Sequence, residues 1–225
     1  MQNKFQNLVL FGFILLVSAC GKKAQEVTPE VQIPEFTQAF TLSADIGNPA
    51  IKGNVAYDPQ TEVYTLSGAG ENMWFKSDEF FFVYEPVEGD FSLSSKIAFA
   101  PALENSNMHR KIGLMIRESL EPDARYADIT VHYGDGLTSL QYRPAVGVDT
   151  EEKKVDIISA DYLVLERKGN QITVKACTVK ENEVNVVTTD VSIDFPAGAY
   201  VGLFICSHDS SILESGYFSE VKLEK

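Results

Sequence analysis

Residues 109–143 constrain this 225-residue chain more than any other stretch. They hold three short runs in which apolar and polar side chains alternate, separated by the turns Glu121-Pro122-Asp123 and Gly134-Asp135-Gly136. A period of two marks strands that bury one face, because successive side chains of a pleated backbone point to opposite sides. In the first run Ile112, Leu114 and Ile116 fall on one side and Lys111, Gly113, Met115 and Arg117 on the other. The second run divides Ala127, Ile129 and Val131 from Tyr126, Asp128, Thr130 and His132, and the third divides Leu140 and Tyr142 from Ser139, Gln141 and Arg143. Paired side by side, the three strands present one non-core surface that gathers Arg117, Asp128, His132, Gln141 and Arg143 around Met115. That surface is the candidate site.

The rest of the chain from residue 41 onward reads the same way, as short strand-like runs between turn signals, with no amphipathic helix. Residues 80–84 are nearly all aromatic, and residues 91–99 alternate. Lys168-Gly169-Asn170 predicts a tight hairpin between strands at 162–167 and 171–178. The last run, 216–223, is expected to close the domain beside an early strand. Many strands at this spacing predict an all-β sandwich of two antiparallel sheets with Greek-key or jelly-roll connections.

Ahead of that domain, Lys4 precedes an apolar run at 8–17 that is short for a membrane span, followed at once by Val17-Ser18-Ala19-Cys20. Small residues before a Cys at that spacing resemble a bacterial lipobox. The resemblance implies that residues 1–19 are a lipoprotein signal peptide and that Cys20 carries the lipid anchor. Residues 20–40, polar and holding Pro29 and Pro34, read as a tether, leaving 41–225 as one domain. Gly21 rather than Asp after the Cys favours the outer membrane over the inner. The formal net charge of −13 opposes a phosphate backbone and excludes nucleic acid as a partner. Cys177 and Cys206 lie in apolar runs with no framework spacing, so their pairing stays open.

Several separated motifs resemble the bacterial concanavalin A-like lectin/glucanase superfamily, in the uncharacterised type often fused to glycoside hydrolases and similar to the C-terminal domains of β-xylosidases. They are D-I-G-N-P-A-I-K-G at 45–53, Y-T-L-S-G-A-G-E-N-M-W at 64–74, S-D-E-F at 77–80, G-D-F-S-L at 89–93, G-L-M-I-R-E-S-L at 113–120, Q-Y-R at 141–143, L-E-R-K-G-N at 165–170 and V-G-L-F-I-C-S-H at 201–208. The resemblance implies a jelly-roll sandwich whose concave face or rim loops hold sugars, with structural calcium a frequent companion.

Sugar recognition needs planar polar groups that grip paired hydroxyls and an aromatic ring for the apolar face of the pyranose. Arg117, Arg143, Gln141, Asp128 and His132 offer the first, and Trp74, Tyr126 or Tyr84 the second. The structural alternatives are a cross-strand Arg117–Asp128 ion pair, worth about 0–1 kcal/mol at a surface, and Trp74 as rim packing. His208 reads as a loop-ordering residue and His109 as the start of a strand, with no zinc-ligand spacing among them. Asp45, Asp58 and Asp135 occupy turns suited to calcium but form no recognisable ligand set. No run of alternating carboxylates of the glucanase kind is present. The leading expectation is therefore a noncatalytic, lipid-anchored envelope protein that binds a glycan or polysaccharide and requires no cofactor. The alternatives are a sugar-active envelope enzyme using His132, Asp128 and the two arginines, or a protein-interaction module.

Overall fold

The computed structural model describes residues 39–180 and 183–225. The expected signal peptide, the anchor Cys20 and all of the tether except Ala39 and Phe40 lie outside the described residues. Phe40 belongs to the domain rather than the tether. Its side chain is buried in the core, and its backbone N–H donates to the Tyr64 hydroxyl at 3.0 Å.

In chain order the strands are β1 (Leu42–Ile46), β2 (Asn54–Asp58), β3 (Val63–Gly70), β4 (Phe80–Glu88), β5 (Phe91–Phe99), β6 (Lys111–Arg117) and β7 (Tyr126–His132). They continue with β8 (Leu137–Arg143), β9 (Glu151–Ile158), β10 (Tyr162–Lys168), β11 (Gln171–Lys180), β12 (Glu183–Ser192), β13 (Gly198–Cys206) and β14 (Asp209–Glu224). One seven-stranded antiparallel sheet runs β1-β4-β13-β6-β7-β8-β9, and the other runs β12-β11-β10-β5-β14-β3-β2. The described residues contain no helix. The last strand is paired on both sides, with β3 and β5, as the sequence predicts. The tight β10–β11 hairpin also forms, with Lys168 opposite Gln171 and Gly169 at φ +58°.

Between the sheets lies the main core. Ile112, Leu114, Ile116, Ala127, Ile129, Val131 and Leu140 from the central stretch face Leu93, Leu163, Leu165 and Val174 of the other sheet within one buried cluster. A one-residue slip of β6 would turn three buried aliphatic side chains out of this core, at about 1.5–3 kcal/mol each. The register is accordingly the one the alternation predicts. Arg117, Tyr126 and Arg143 lie in one cross-strand row, Met115, Asp128 and Gln141 in the next, and Lys111 opposite His132 at the far end.

The outer face of the first sheet departs from the simple pattern of one buried and one solvated side. β6 is buried at all seven positions and β4 at its first five. Ile46, Phe80, Phe82, Tyr84, Met115, Tyr126, Phe204 and Cys206 form a second apolar cluster there, capped by Met73. The aromatic run at 80–84 is thus a strand buried on both faces. Gly113 leaves room for this layer, since a Cβ would stand 2.8 Å from the Phe204 ring and 2.1 Å from the Ile129 carbonyl oxygen.

Two strands escape sequence reading, β1 and β9, and both are edges of the first sheet. The Glu151-Glu152-Lys153-Lys154 start of β9 is charged and mostly exposed, with one hydrogen-bonded neighbour to specify it. Cys177 and Cys206 are free thiols, the latter buried.

Candidate functional site

The outer face of the first sheet is divided in two by the segment between β3 and β4. The chain leaves β3 at Gly70, whose φ of +150° and 2.0 Å Cβ approach to the Glu79 carbonyl oxygen admit no side chain. Asn72 then organises the bend, its Oδ1 accepting the N–H groups of Met73 (2.7 Å) and Trp74 (2.9 Å). This turn presents the carbonyls of Met73 and Phe75 downward to the sheet. The Tyr126 hydroxyl donates to Met73 O at 2.7 Å and Arg143 Nη2 to Phe75 O at 2.6 Å.

Asp78 closes the clamp. Its Oδ1 and Oδ2 accept Arg143 Nη2 and Nη1 at 2.6 and 2.8 Å, and Oδ2 also receives Arg117 Nη1 at 3.2 Å. Remaining guanidinium hydrogens go to carbonyls: those of Ser119 and Glu121 for Arg117, and those of Ala124 and Val148 for Arg143. All three charged side chains are fully buried. Burial pulls the Arg117 pKa down even with Asp78 beside it. Burial also works against the charge on Arg143, but its fork onto Asp78 wins and raises that pKa.

Arg117, Arg143 and Tyr126 therefore do not line an open surface, as the sequence suggested. They are sealed beneath a packed loop and satisfied by it. Asp128 pairs with neither arginine. It is fully buried in the middle row, and neither carboxylate oxygen has a hydrogen-bond partner. Burial pushes its pKa well above the ordinary range, with Lys111 pulling the other way. The constellation of His132, Asp128 and two arginines considered for catalysis is not assembled on any one accessible surface.

At the other end of the same face, a cleft of about 280 Å³ remains open. Its walls are Asn72, Trp74, His109, Lys111, His132, Asp135, Leu137, Gln141, Glu152 and His208. Lys111 Nζ donates to Gln141 Oε1 at 2.9 Å, and Gln141 Nε2 donates to Glu152 Oε1 at 3.2 Å. Trp74 is half-buried at this cleft, leaving the loop between Met73 and the exposed Phe75. Of the sequence-predicted residues the cleft holds Trp74, His132 and Gln141.

The cleft also collects all three histidines of the chain, which sequence analysis assigned to three separate roles. His109 precedes β6, His132 ends β7 and His208 follows β13. Those three strands are adjacent and antiparallel, so their relevant ends meet at one edge of the sheet. Lys111 and Glu152 were missed. Lys111 was visible in the alternation, on the same side as Arg117, whereas Glu152 sits on the unrecognised edge strand. Burial, and after it Lys111, lowers the His132 pKa to about 4 and the His208 pKa to about 3. Both imidazoles are neutral at pH 7.

The acids considered for calcium each accept local hydrogen bonds, and Asp45 lies in β1 rather than in a turn. Asp45 accepts the Gly53 N–H, Asp58 the Gln60 N–H and Thr61 hydroxyl, and Asp135 the Leu137 N–H. Among the described residues no three His, Cys, Asp or Glu groups stand placed to hold a metal ion.

No protein-family model matches the sequence, and no curated protein matches it. Solved structures do. A functionally unknown protein from Saccharomyces cerevisiae superposes with a TM-score of 0.59 at 12% identity, covering 81% of this chain and 94% of that one. A xylan beta-1,4-xylosidase from Bacillus halodurans C-125 gives 0.55 at 14% identity, over 81% of this chain but 39% of the enzyme. Arcelin-5, a lectin-like defense protein from Phaseolus vulgaris, gives 0.50 at 9% identity, over 81% and 96%. These likenesses define a class by fold: the chain is a concanavalin A-like jelly-roll sandwich.

Two measurements test the electrostatics. In urea denaturation at pH 7, Asp78→Ala loses about 3–5 kcal/mol because it strands two buried guanidiniums, whereas Asp128→Asn, which removes an unpartnered buried acid, gains stability. For the histidines the native pKa lies below the unfolded value near 6.5. Their contribution is complete above that pH and declines as pH falls towards about 4. Asp128 acts oppositely, its native pKa being raised. In an Asp128→Asn background, stability therefore drops between pH 7 and 4.5, and adding His132→Gln with His208→Asn makes that drop shallower.

Proposed function

We propose that this is a lipid-anchored protein of the cell envelope whose cleft beside Trp74 binds a carbohydrate without transforming it. The observation that carries the reading is the composition of that cleft. The only tryptophan of the chain lines it, together with the amide of Gln141, the amide of Asn72, the carboxylate of Glu152 and the neutral imidazole of His132. An aromatic ring beside planar donors and acceptors is what a pyranose requires, with one apolar face and a rim of hydroxyls. The fold adds support, since a lectin-like defense protein shares it and a xylan beta-1,4-xylosidase carries it over 39% of its chain. Of the residues expected from the sequence, the proposed contacts keep Trp74, His132 and Gln141 and leave out Arg117, Asp128, Tyr126 and Arg143. The anchor follows from the lipobox-like Val17-Ser18-Ala19-Cys20, with the outer membrane favoured by Gly21.

Retention on a panel of polysaccharides, read also by emission of the single tryptophan, tests the cleft. Trp74→Ala and Gln141→Ala, each with an unchanged circular dichroism spectrum, weaken retention at least tenfold, about 1.4 kcal/mol. Absence of retention on every polysaccharide, with envelope proteins co-purifying instead, overturns the reading in favour of an interaction module. For the anchor, Cys20→Ala moves the protein from the membrane to the soluble fraction. A variant that still pellets with membranes rules the lipoprotein assignment out.

A further inference from the structure

The loop between β3 and β4 has a second side, which the carbohydrate reading leaves unused. Three consecutive carbonyls of that loop are tied into the fold. Met73 O accepts the Tyr126 hydroxyl at 2.7 Å, Trp74 O the Thr150 N–H at 3.2 Å and Phe75 O the Arg143 guanidinium at 2.6 Å. Further on, the Asp78 N–H donates to Pro122 O at 2.8 Å and the Glu79 N–H to Asn72 O at 2.7 Å. The backbone that carries Trp74 and Phe75 is therefore held by the buried clamp, and the two side chains serve different hollows. Trp74 lines the cleft of about 280 Å³. Phe75 lines a second open hollow, of about 810 Å³, bounded by Asn48 after β1, Glu71 and Asn72 in the loop, and Leu120 and Glu121 after β6. Asn72 stands in the wall of both.

A lone apolar side chain at the surface is ordinary. Phe75 differs in its setting. It is 60% exposed, on a backbone fixed from below, with carboxylates and amides beside it. An aromatic ring next to groups that bond hydroxyls is the same pairing that the cleft offers at Trp74. Ligand sites run to about 300–1,000 Å³. The cleft falls at the bottom of that range and the second hollow towards its top, together more than one sugar ring needs.

We propose that the two hollows are successive parts of one binding groove, in which Trp74 and Phe75 stack on different sugar units of the same neutral polysaccharide chain. This rests on the carbohydrate reading of the cleft and adds the kind of glycan, a chain gripped over several units. Charge selects the neutral class. Asp45, Glu71, Glu79 and Glu121 line the second hollow, and among the described residues no basic side chain does. Asp45 accepts the Gly53 N–H and Glu79 the Glu71 N–H, which leaves the exposed Asn48, Glu71 and Glu121 to meet hydroxyls. Ionised carboxylates accept hydroxyl hydrogens but repel the carboxylates or sulfates of an acidic chain. The net charge of −13 adds to that repulsion.

The test titrates the full chain, held in detergent, with ladders of one to six units of β-1,4-linked glucose, xylose and mannose and of β-1,3-linked glucose, followed by tryptophan emission and by heat. Affinity within the ladder that binds rises at least tenfold between one unit and six, and a galacturonate ladder shows no such rise. Phe75→Ala removes the rise, whereas Trp74→Ala weakens every length. The clamp uses only the carbonyl of Phe75, so the substitution keeps the fold, as circular dichroism checks. Equal affinity at one unit and six, or a rise that survives Phe75→Ala, overturns the inference and leaves the carbohydrate reading standing. No binding at any length overturns it as well, and an envelope protein held by wild type but released by Phe75→Ala then marks the hollow as a protein-docking surface.

Discussion

The buried pairing of Asp78 with Arg117 and Arg143 is the interaction on which the outer face of this sandwich depends. Two guanidiniums in one cross-strand row of the sheet, on either side of Tyr126, would demand water unless a carboxylate arrives from elsewhere. That carboxylate comes at the end of a loop, so satisfying the charges and roofing the sheet are a single event. Once roofed, Met115, Phe80, Phe82 and Phe204 have a dry layer to pack in. A buried ion cluster of this kind contributes less to net stability than to uniqueness, because an apolar substitute of equal volume would hold as well. Here it dictates which part of the face is closed and where the loop ends.

The consequence for function lies in what the clamp does not reach. The covered rows end near Gln141, and beyond them the end of β13, the start of β6 and the end of β7 converge on the open cleft. Polar and titratable side chains collect there because the sheet's interior positions are taken by the apolar layer. The motifs that carry the family resemblance, around 64–80, 113–120 and 141–143, meet mainly at the clamp. The cleft draws on residues at the margins of those motifs, Trp74, Gln141 and His208.

Much of the fold was legible from periodicity. The central stretch alternates, and a two-residue period leaves only one way to place Ile112, Leu114, Ile116, Ile129, Val131 and Leu140 together. From that follow the three strands, their pairing and the side on which Arg117, Asp128 and Gln141 emerge. The edge strands β1 and β9 were not legible, since one hydrogen-bonded neighbour and little burial leave a weak imprint on composition. Phe40 was read as tether for a related reason: an isolated aromatic after a polar segment carries no period.

For the site, sequence determined which residues share a face, because that depends only on the pleat. It did not determine which of them meet solvent, because that depends on where a loop thirty-five or more residues earlier in the chain comes to rest. The placement of Asp78 over two arginines and the meeting of His109, His132 and His208 are both long-range events. The first is decided by a charge seeking its counter-charge away from water. The second is decided by antiparallel strand order, which brings together the start of one strand and the ends of two others. No local pattern encodes either, and tertiary structure alone turned one predicted surface into a sealed clamp and an open cleft.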